Sequence, residues 1–343
     1  MKKIFIILIC LLTFVGCTKK VDPIIEQPPI IREDNEEMLL YGNTLANING
    51  DIPVVETKEY IYYVYLRNTI LRINRENLED VSVIYENDMD ITNIAYSDEF
   101  LYFIEKDEDG NAQLSRLSLQ DTEKEVFHDV DSYDNILVIL EEKIYYVNTQ
   151  SYYEKCNLDG SKAQLFGLTM IIHPSFNGGY FFGAGYEMTA SDDRMRIFRT
   201  DYKNDTSVTF YEKTVASIII PNPFGYVIFE NSGAQYIFHT LDSDGSHAEL
   251  QEYYLNYPFS RVVKGNYYGS YSEEDSYYEY NPETKTLTVI DATNENYAVW
   301  KIYALGTPTE EFVLIETNDN TLYYHIYDSG KAVQLYPVSI EAE

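Results

Sequence analysis

The sequence predicts an all-β fold, a β-propeller of seven four-stranded antiparallel blades, and three observations carry that reading. Apolar, aromatic-rich strand openings recur at Tyr60, Phe100, Ile144, Tyr180, Tyr226, Tyr267 and Phe312, at intervals of 40, 44, 36, 46, 41 and 45 residues with a mean of 42. A period of roughly 40–45 residues with about four strands per unit belongs to propeller blades rather than to helical solenoids. The stretch from Ile144 to Phe166, IYYVNTQSYYEKCNLDGSKAQLF, shows the unit most clearly: strand, turn, strand, tight turn, strand, with Asp159-Gly160 expected to supply the positive backbone angles of the tight hairpin. The inner runs YIYYVYL, FLYFI, KIYYV and YVIFE are apolar throughout instead of alternating. Strands covered on both faces by neighbouring blades should read that way. Six blades is the alternative count, if the degenerate sixth repeat is a long insertion or if the N-terminal segment closes the ring by adding a strand to the last blade.

The same packing explains the composition. Paired rings such as Tyr62-Tyr63, Phe181-Phe182, Tyr267-Tyr268 and Tyr323-Tyr324 point one to each face of their strand and fill the wedge on both sides. The 34 tyrosines and 16 phenylalanines are therefore read as core, ahead of a sugar-binding tyrosine platform.

The first residues, MKKIFIILICLLTFVGC, place Lys2 and Lys3 before an apolar run from Ile4 to Val15, followed by Gly16 and Cys17. This is the layout of a signal peptide over residues 1–16. Twelve helical residues reach only about 18 Å, short of a hydrocarbon core of about 30 Å. Val15, Gly16 and Cys17 resemble a bacterial lipobox, although Phe14 departs from it. The resemblance implies that Cys17 becomes the lipidated first residue of the mature chain. Residues 17–40 then read as a tether rich in proline and charge, and residues 41–343 as the propeller. Lys19 and Lys20 follow the lipid site, where they can meet anionic headgroups, and Glu33, Asp34, Glu36 and Glu37 hold the domain off the surface.

Cys10 leaves with the signal and Cys17 takes the lipid, so Cys156 is the one cysteine left, and no disulfide forms within the mature chain. Cys156 is read as a small buried hydrophobe rather than a reactive thiol. Loss of Lys2 and Lys3 leaves 23 basic against 56 acidic residues and a charge of −33. Such a surface repels phosphate backbones, which excludes nucleic acid as a partner.

Gly42-Asn43-Thr44, Asn47-Ile48-Asn49 and Ile61-Tyr62-Tyr63, with Asn157 to Ser161 (NLDGS) in the third blade, carry a family resemblance. From about Gly42 onward the chain resembles the DUF5050 group of bacterial surface propellers, which are similar to the YWTD propeller of low-density-lipoprotein-receptor-related proteins. The resemblance implies a propeller in a cell-surface setting, Gram-positive, without a defined activity.

No H-E-x-x-H, G-x-S-x-G, Walker loop or G-x-G-x-x-G following a strand is present. His128, His173, His239, His247 and His325 are scattered without ligand spacing, so no catalytic residue, metal or cofactor is assigned. The loops DEDGN at Asp107 and DSDG at Asp242 lack the twelve-residue spacing of a calcium loop and read as turns.

With strands A to D alternating in direction, the B–C turns and D-to-A crossovers share one end of the ring, and the A–B and C–D turns share the other. The B–C end collects Asp107, Asp109, Tyr186, Asp192, Asp193, Glu273, Glu274 and Asp319 as a candidate binding face. The expected molecule is a monomeric, lipid-anchored, extracytoplasmic binding or scaffold module for a protein or envelope component. A propeller-type glycan hydrolase or lyase, or a carbohydrate-binding surface protein, is the alternative.

Lipidation is tested with an alkyne fatty acid in growing cells. Wild-type protein is expected to be labelled and to sediment with membranes, and Cys17→Ser to lose both properties.

Overall fold

The computed structural model describes residues 54–336 apart from 58, 98, 133–134, 178, 187–194, 212–215, 223–224, 232–234, 243–248, 256–260, 264–265, 271–275, 292–298, 306–311, 318–321 and 327–330. These residues form seven four-stranded antiparallel sheets, each a meander of four consecutive strands, and no helix. The first sheet is β1 (Val54–Glu56), β2 (Tyr60–Tyr65), β3 (Thr69–Asn74) and β4 (Val81–Glu86). The second is β5 (Asp90–Ser97), β6 (Phe100–Lys106), β7 (Ala112–Ser118) and β8 (Lys124–Val130), and the third β9 (Val138–Leu140), β10 (Lys143–Val147), β11 (Tyr152–Asn157) and β12 (Gln164–Met170). The fourth holds β13 (Ile172–Asn177), β14 (Tyr180–Tyr186), β15 (Met195–Asp201) and β16 (Thr206–Tyr211). The fifth holds β17 (Ala216–Asn222), β18 (Gly225–Asn231), β19 (Tyr236–Asp242) and β20 (Glu249–Leu255). The sixth runs β21 (Arg261–Val263), β22 (Asn266–Ser270), β23 (Ser276–Asn281) and β24 (Thr286–Asp291), and the seventh β25 (Val299–Leu305), β26 (Phe312–Thr317), β27 (Leu322–Ile326) and β28 (Lys331–Tyr336).

The first strands of the sheets lie together: β1 beside β5, β5 beside β9, β13 beside β17, and β1 beside β25. They surround a common axis, with the first and last sheets as neighbours, so the fold is a β-propeller. Among the described residues no sheet borrows a strand from elsewhere in the chain. Every repeat marker read from the sequence falls in the second strand of its sheet, from Tyr60 at the start of β2 to Phe312 at the start of β26. The repeating unit is thus strands B, C and D, preceded by a strand A as short as Val138–Leu140.

Burial explains why the inner strands lack alternation. In β6 the five residues Leu101 to Glu105 are all buried, whereas the outer β4 has no buried residue. Tyr145 and Tyr146, adjacent in β10, are both buried but join different clusters. Tyr146 packs with Tyr102 and Leu114 of the second sheet, and Tyr145 packs with Phe176 and Phe181 of the fourth. Phe181 and Phe182 divide in the same way between the third and fifth sheets. Each such ring removes enough apolar surface from water to contribute about 1.5–3 kcal/mol.

The C–D turns lock neighbouring sheets together. In the turn after β11, Gly160 N donates to Asn157 O at 2.9 Å and Ser161 N to Asp159 Oδ1 at 2.9 Å. Of the pair Asp159-Gly160, Gly160 takes a positive φ, 75°, and Asp159 does not, so the expectation that both would do so is corrected. The turn is closed by one left-handed residue following ordinary turn geometry, the three-residue hairpin pattern. From the second sheet, Tyr102 Oη and Arg116 Nη1 both donate to Leu158 O, at 3.2 and 3.1 Å, and His128 Nε2 lies 2.7 Å from Gly160 O. The next sheets repeat this device: Lys155 Nζ reaches Asp205 Oδ1 at 2.6 Å, and Tyr253 Oη donates to Lys285 O at 3.2 Å.

A Cβ on Gly160 would stand 2.7 Å from Phe127 Cγ on the neighbouring sheet. Gly160→Ala is therefore expected to combine left-handed backbone strain with interblade overpacking and to lose roughly 2–4 kcal/mol, read from urea unfolding.

Candidate binding face

At the B–C end the turns are clamped to the crossovers between sheets. In the β2–β3 turn Leu66 and Arg67 both have positive φ, 49° and 69°, where Asn-Gly is the usual choice. The crossover holds this geometry: Asn87 N donates to Asn68 O at 3.2 Å and Ile91 N to Arg67 O at 2.5 Å. The tip presents Leu66, 44% exposed, and Arg67, which pairs with Asp90 at 3.5 Å. The β10–β11 turn is fixed in the same way, by Ile171 N donating to Ser151 O at 2.7 Å and Ser151 Oγ to Asp131 Oδ2 at 3.0 Å.

The β6–β7 turn carries two of the acids read from the sequence. Asp107 Oδ1 accepts from Asn111 N at 2.7 Å and Oδ2 from Asn111 Nδ2 at 2.8 Å. These bonds hold its carboxyl below the ordinary aspartate value and tie it to its own turn. Asp109 is exposed at the tip. Tyr186 ends β14, with its backbone opposite Met195. Asp192, Asp193, Glu273, Glu274, Asp319 and Cys17 lie outside the described residues.

Beneath the β6–β7 turn lies a group that sequence reading missed. Glu105 closes the apolar run of β6, and its side chain is fully buried. Lys124 Nζ and Ser115 Oγ donate to Oε1 at 2.7 Å each, and Gln113 Nε2 does so at 2.8 Å. From the first sheet and its crossover, Asn87 Nδ2 and Tyr85 Oη donate to Oε2 at 2.7 and 3.3 Å. Burial pushes the carboxyl up, but the bonds from Lys124, Ser115 and Gln113 together outweigh it and leave Glu105 below the ordinary glutamate value. Burial, then the Glu105 charge, raises the Tyr85 hydroxyl. A carboxylate this fully saturated is a structural anchor between two sheets, with no lone pair left for proton transfer.

Cys156 is buried, and burial, followed by the charges of Glu154 and Asp159, pushes its thiol up to about 12. It stays protonated and inert at neutral pH. His128 stacks on Tyr146 with ring centres 5.8 Å apart, besides its contact with Gly160 O. No cluster of histidine, cysteine and acidic residues fit to hold a metal occurs among the described residues.

No protein-family model and no curated protein matches the sequence. Among solved structures, puromycin hydrolase is similar at a TM-score of 0.55 and 10% identity, covering 86% of this chain and 56% of that one. A puromycin-hydrolyzing peptidase of Mycobacterium tuberculosis is similar at 0.52 and 12%, covering 87% and 56%. The WD40 β-propeller domain of Doa1 is similar at 0.49 and 15%, covering 83% and 95%. The chain spans about half the length of the puromycin hydrolase and of the puromycin-hydrolyzing peptidase, and the likeness at these identities is one of fold.

Because Glu105 is more acidic in the folded chain than unfolded, its contribution is complete above about pH 4.3 and is lost as pH falls through the lower folded value. Glu105→Gln is expected to lose roughly 2–3 kcal/mol at pH 7, since Lys124 then sits partly buried without its counter-charge. Urea midpoints at pH 7 and pH 3 should therefore differ less for the variant than for wild type.

Proposed function

We propose that the chain is a lipid-anchored, extracytoplasmic binding or scaffold module that takes a protein or cell-envelope partner on the B–C end of its propeller. The clamped B–C turns carry this reading: the inner strands are committed to packing between sheets, whereas the Leu66–Arg67 tip is tied to the crossover by hydrogen bonds, positive in φ and exposed. Backbone held in a costly conformation by its surroundings is commonly found where a protein meets a ligand. The lipobox-like Val15-Gly16-Cys17 supports a diacylglyceryl anchor at the outer face of a bacterial cytoplasmic membrane, and the resemblance to DUF5050 surface propellers agrees with that setting.

The charge of the mature chain favours a cationic or neutral partner over an anionic wall polymer, because exposed like charges repel within a Debye length of about 8 Å. The partner binds without covalent chemistry, and the protein acts as a monomer without a cofactor.

The experiment captures the partner from envelope extract and repeats capture at two salt concentrations with Leu66→Ser, Asp192→Ala/Asp193→Ala and Glu273→Ala/Glu274→Ala, after folding has been checked. Capture is expected to fall for all three, and the acidic variants are expected to lose its salt dependence. Loss confined to variants in A–B or C–D turns places the site on the opposite face, and turnover of envelope glycan by wild type replaces binding with hydrolysis or lysis.

A further inference from the structure

A cation recurs at one register position in the third strand of the first four sheets: Arg72, Arg116, Lys155 and Arg199, opposite Tyr62, Tyr102, Tyr145 and Phe182 of the second strand. Each lies over an aromatic ring, Arg72 over Tyr60 at 5.0 Å, Arg116 over Phe100 at 4.6 Å and Lys155 over Phe166 at 5.3 Å. Arg116 and Lys155 also meet oxygens: Arg116 donates to Glu125 Oε2 at 2.7 Å and to Leu158 O, and Lys155 to Asp205. Arg72 is only half-buried.

Arg199 differs from all three. It is 7% exposed and lies between Tyr180, 4.5 Å from its guanidinium carbon, and Phe210, at 5.8 Å. Its Nε is buried without a hydrogen-bond partner, and no carboxylate among the described residues forms an ion pair with it. Asp201, two residues along the same face of β15, spends its carboxylate on Lys203 N and Asn204 Nδ2 at 2.8 Å each. A buried charge with no counter-ion among the described residues is unfavourable, so the site gains whatever an incoming anion supplies.

We propose that Arg199, Tyr180 and Phe210 form a carboxylate-binding site between the fourth and fifth sheets, at the A–B and C–D end of the ring and so apart from the B–C face. A guanidinium offers parallel donors that match a carboxylate fork. A planar carboxylate matches a guanidinium flanked by aromatic rings more readily than a tetrahedral phosphate does. A monoanion also crosses the acidic surface of this chain at less electrostatic cost than a dianion. Phe210 is braced by Phe182 and Tyr226, with centroids 5.2 Å away in both cases, so its place beside Arg199 is set before a ligand arrives.

The test measures melting temperature at pH 7 in sodium acetate, sodium phosphate and sodium chloride of equal ionic strength, for wild type, Arg199→Gln, Arg199→Lys and Tyr180→Leu. Acetate is expected to raise the wild-type value by about 2 °C over chloride. The rise should shrink in Arg199→Lys and Tyr180→Leu, and vanish in Arg199→Gln. If Arg199→Gln does not fold, the other two variants decide. An equal rise in wild type and variants, a rise with phosphate but not acetate, or a wild type indifferent to acetate because an oxygen of the chain itself satisfies Arg199, overturns the proposal.

Discussion

The constraint on which this molecule depends is that each sheet must satisfy two neighbours at once. A strand in a sandwich can be apolar on one face and wet on the other, but the second strand of a propeller blade has no wet face. Adjacent residues such as Tyr145 and Tyr146 therefore serve separate cores, one on each side of the same strand. Tyrosine suits this duty because it brings a large ring and a hydroxyl that finds a backbone acceptor within the wedge, as Tyr153 Oη does at Phe182 O, 2.5 Å away.

Polar groups are then confined to specific duties between the sheets. Glu105 joins the first two sheets at the B–C end, while the C–D turn around Leu158 and Gly160 joins the second and third at the other end. Apolar wedges tolerate sliding, whereas a saturated carboxylate and a turn gripped by Tyr102, Arg116 and His128 do not. The rings supply cohesion and these contacts supply angle, so the turns at either end inherit a fixed spacing.

The second strands were legible in the sequence because burial on both faces writes itself as an uninterrupted apolar run, as in FLYFI. The first strand of the third sheet, Val138–Leu140, was not, since three residues are too few to show a period. Glu105 escaped notice because its partners are spread from Tyr85 to Lys124 and meet only when two sheets pack. Arg199 was hidden for another reason: its environment is set by rings on two flanking strands, and the absence of an acid paired with it among the described residues leaves no mark in a linear pattern. The candidate acids at the B–C turns were found from connectivity alone, which says where a turn lies but not that Asp107 will be spent on Asn111.

The manner of closure has a mechanical side. The first sheet meets the last by packing β1 beside β25, and β1 itself is held to its own sheet by only three residue pairs, Val54 with Tyr63, Val55 with Tyr62 and Glu56 with Ile61. Tension transmitted through the residues preceding β1, directed along the ring axis, loads those three pairs together in shear. Tension directed sideways opens them one after another. The domain is thus stiff toward a pull from straight beyond its B–C end and weak toward one from the side, an anisotropy set by where a single short strand lies.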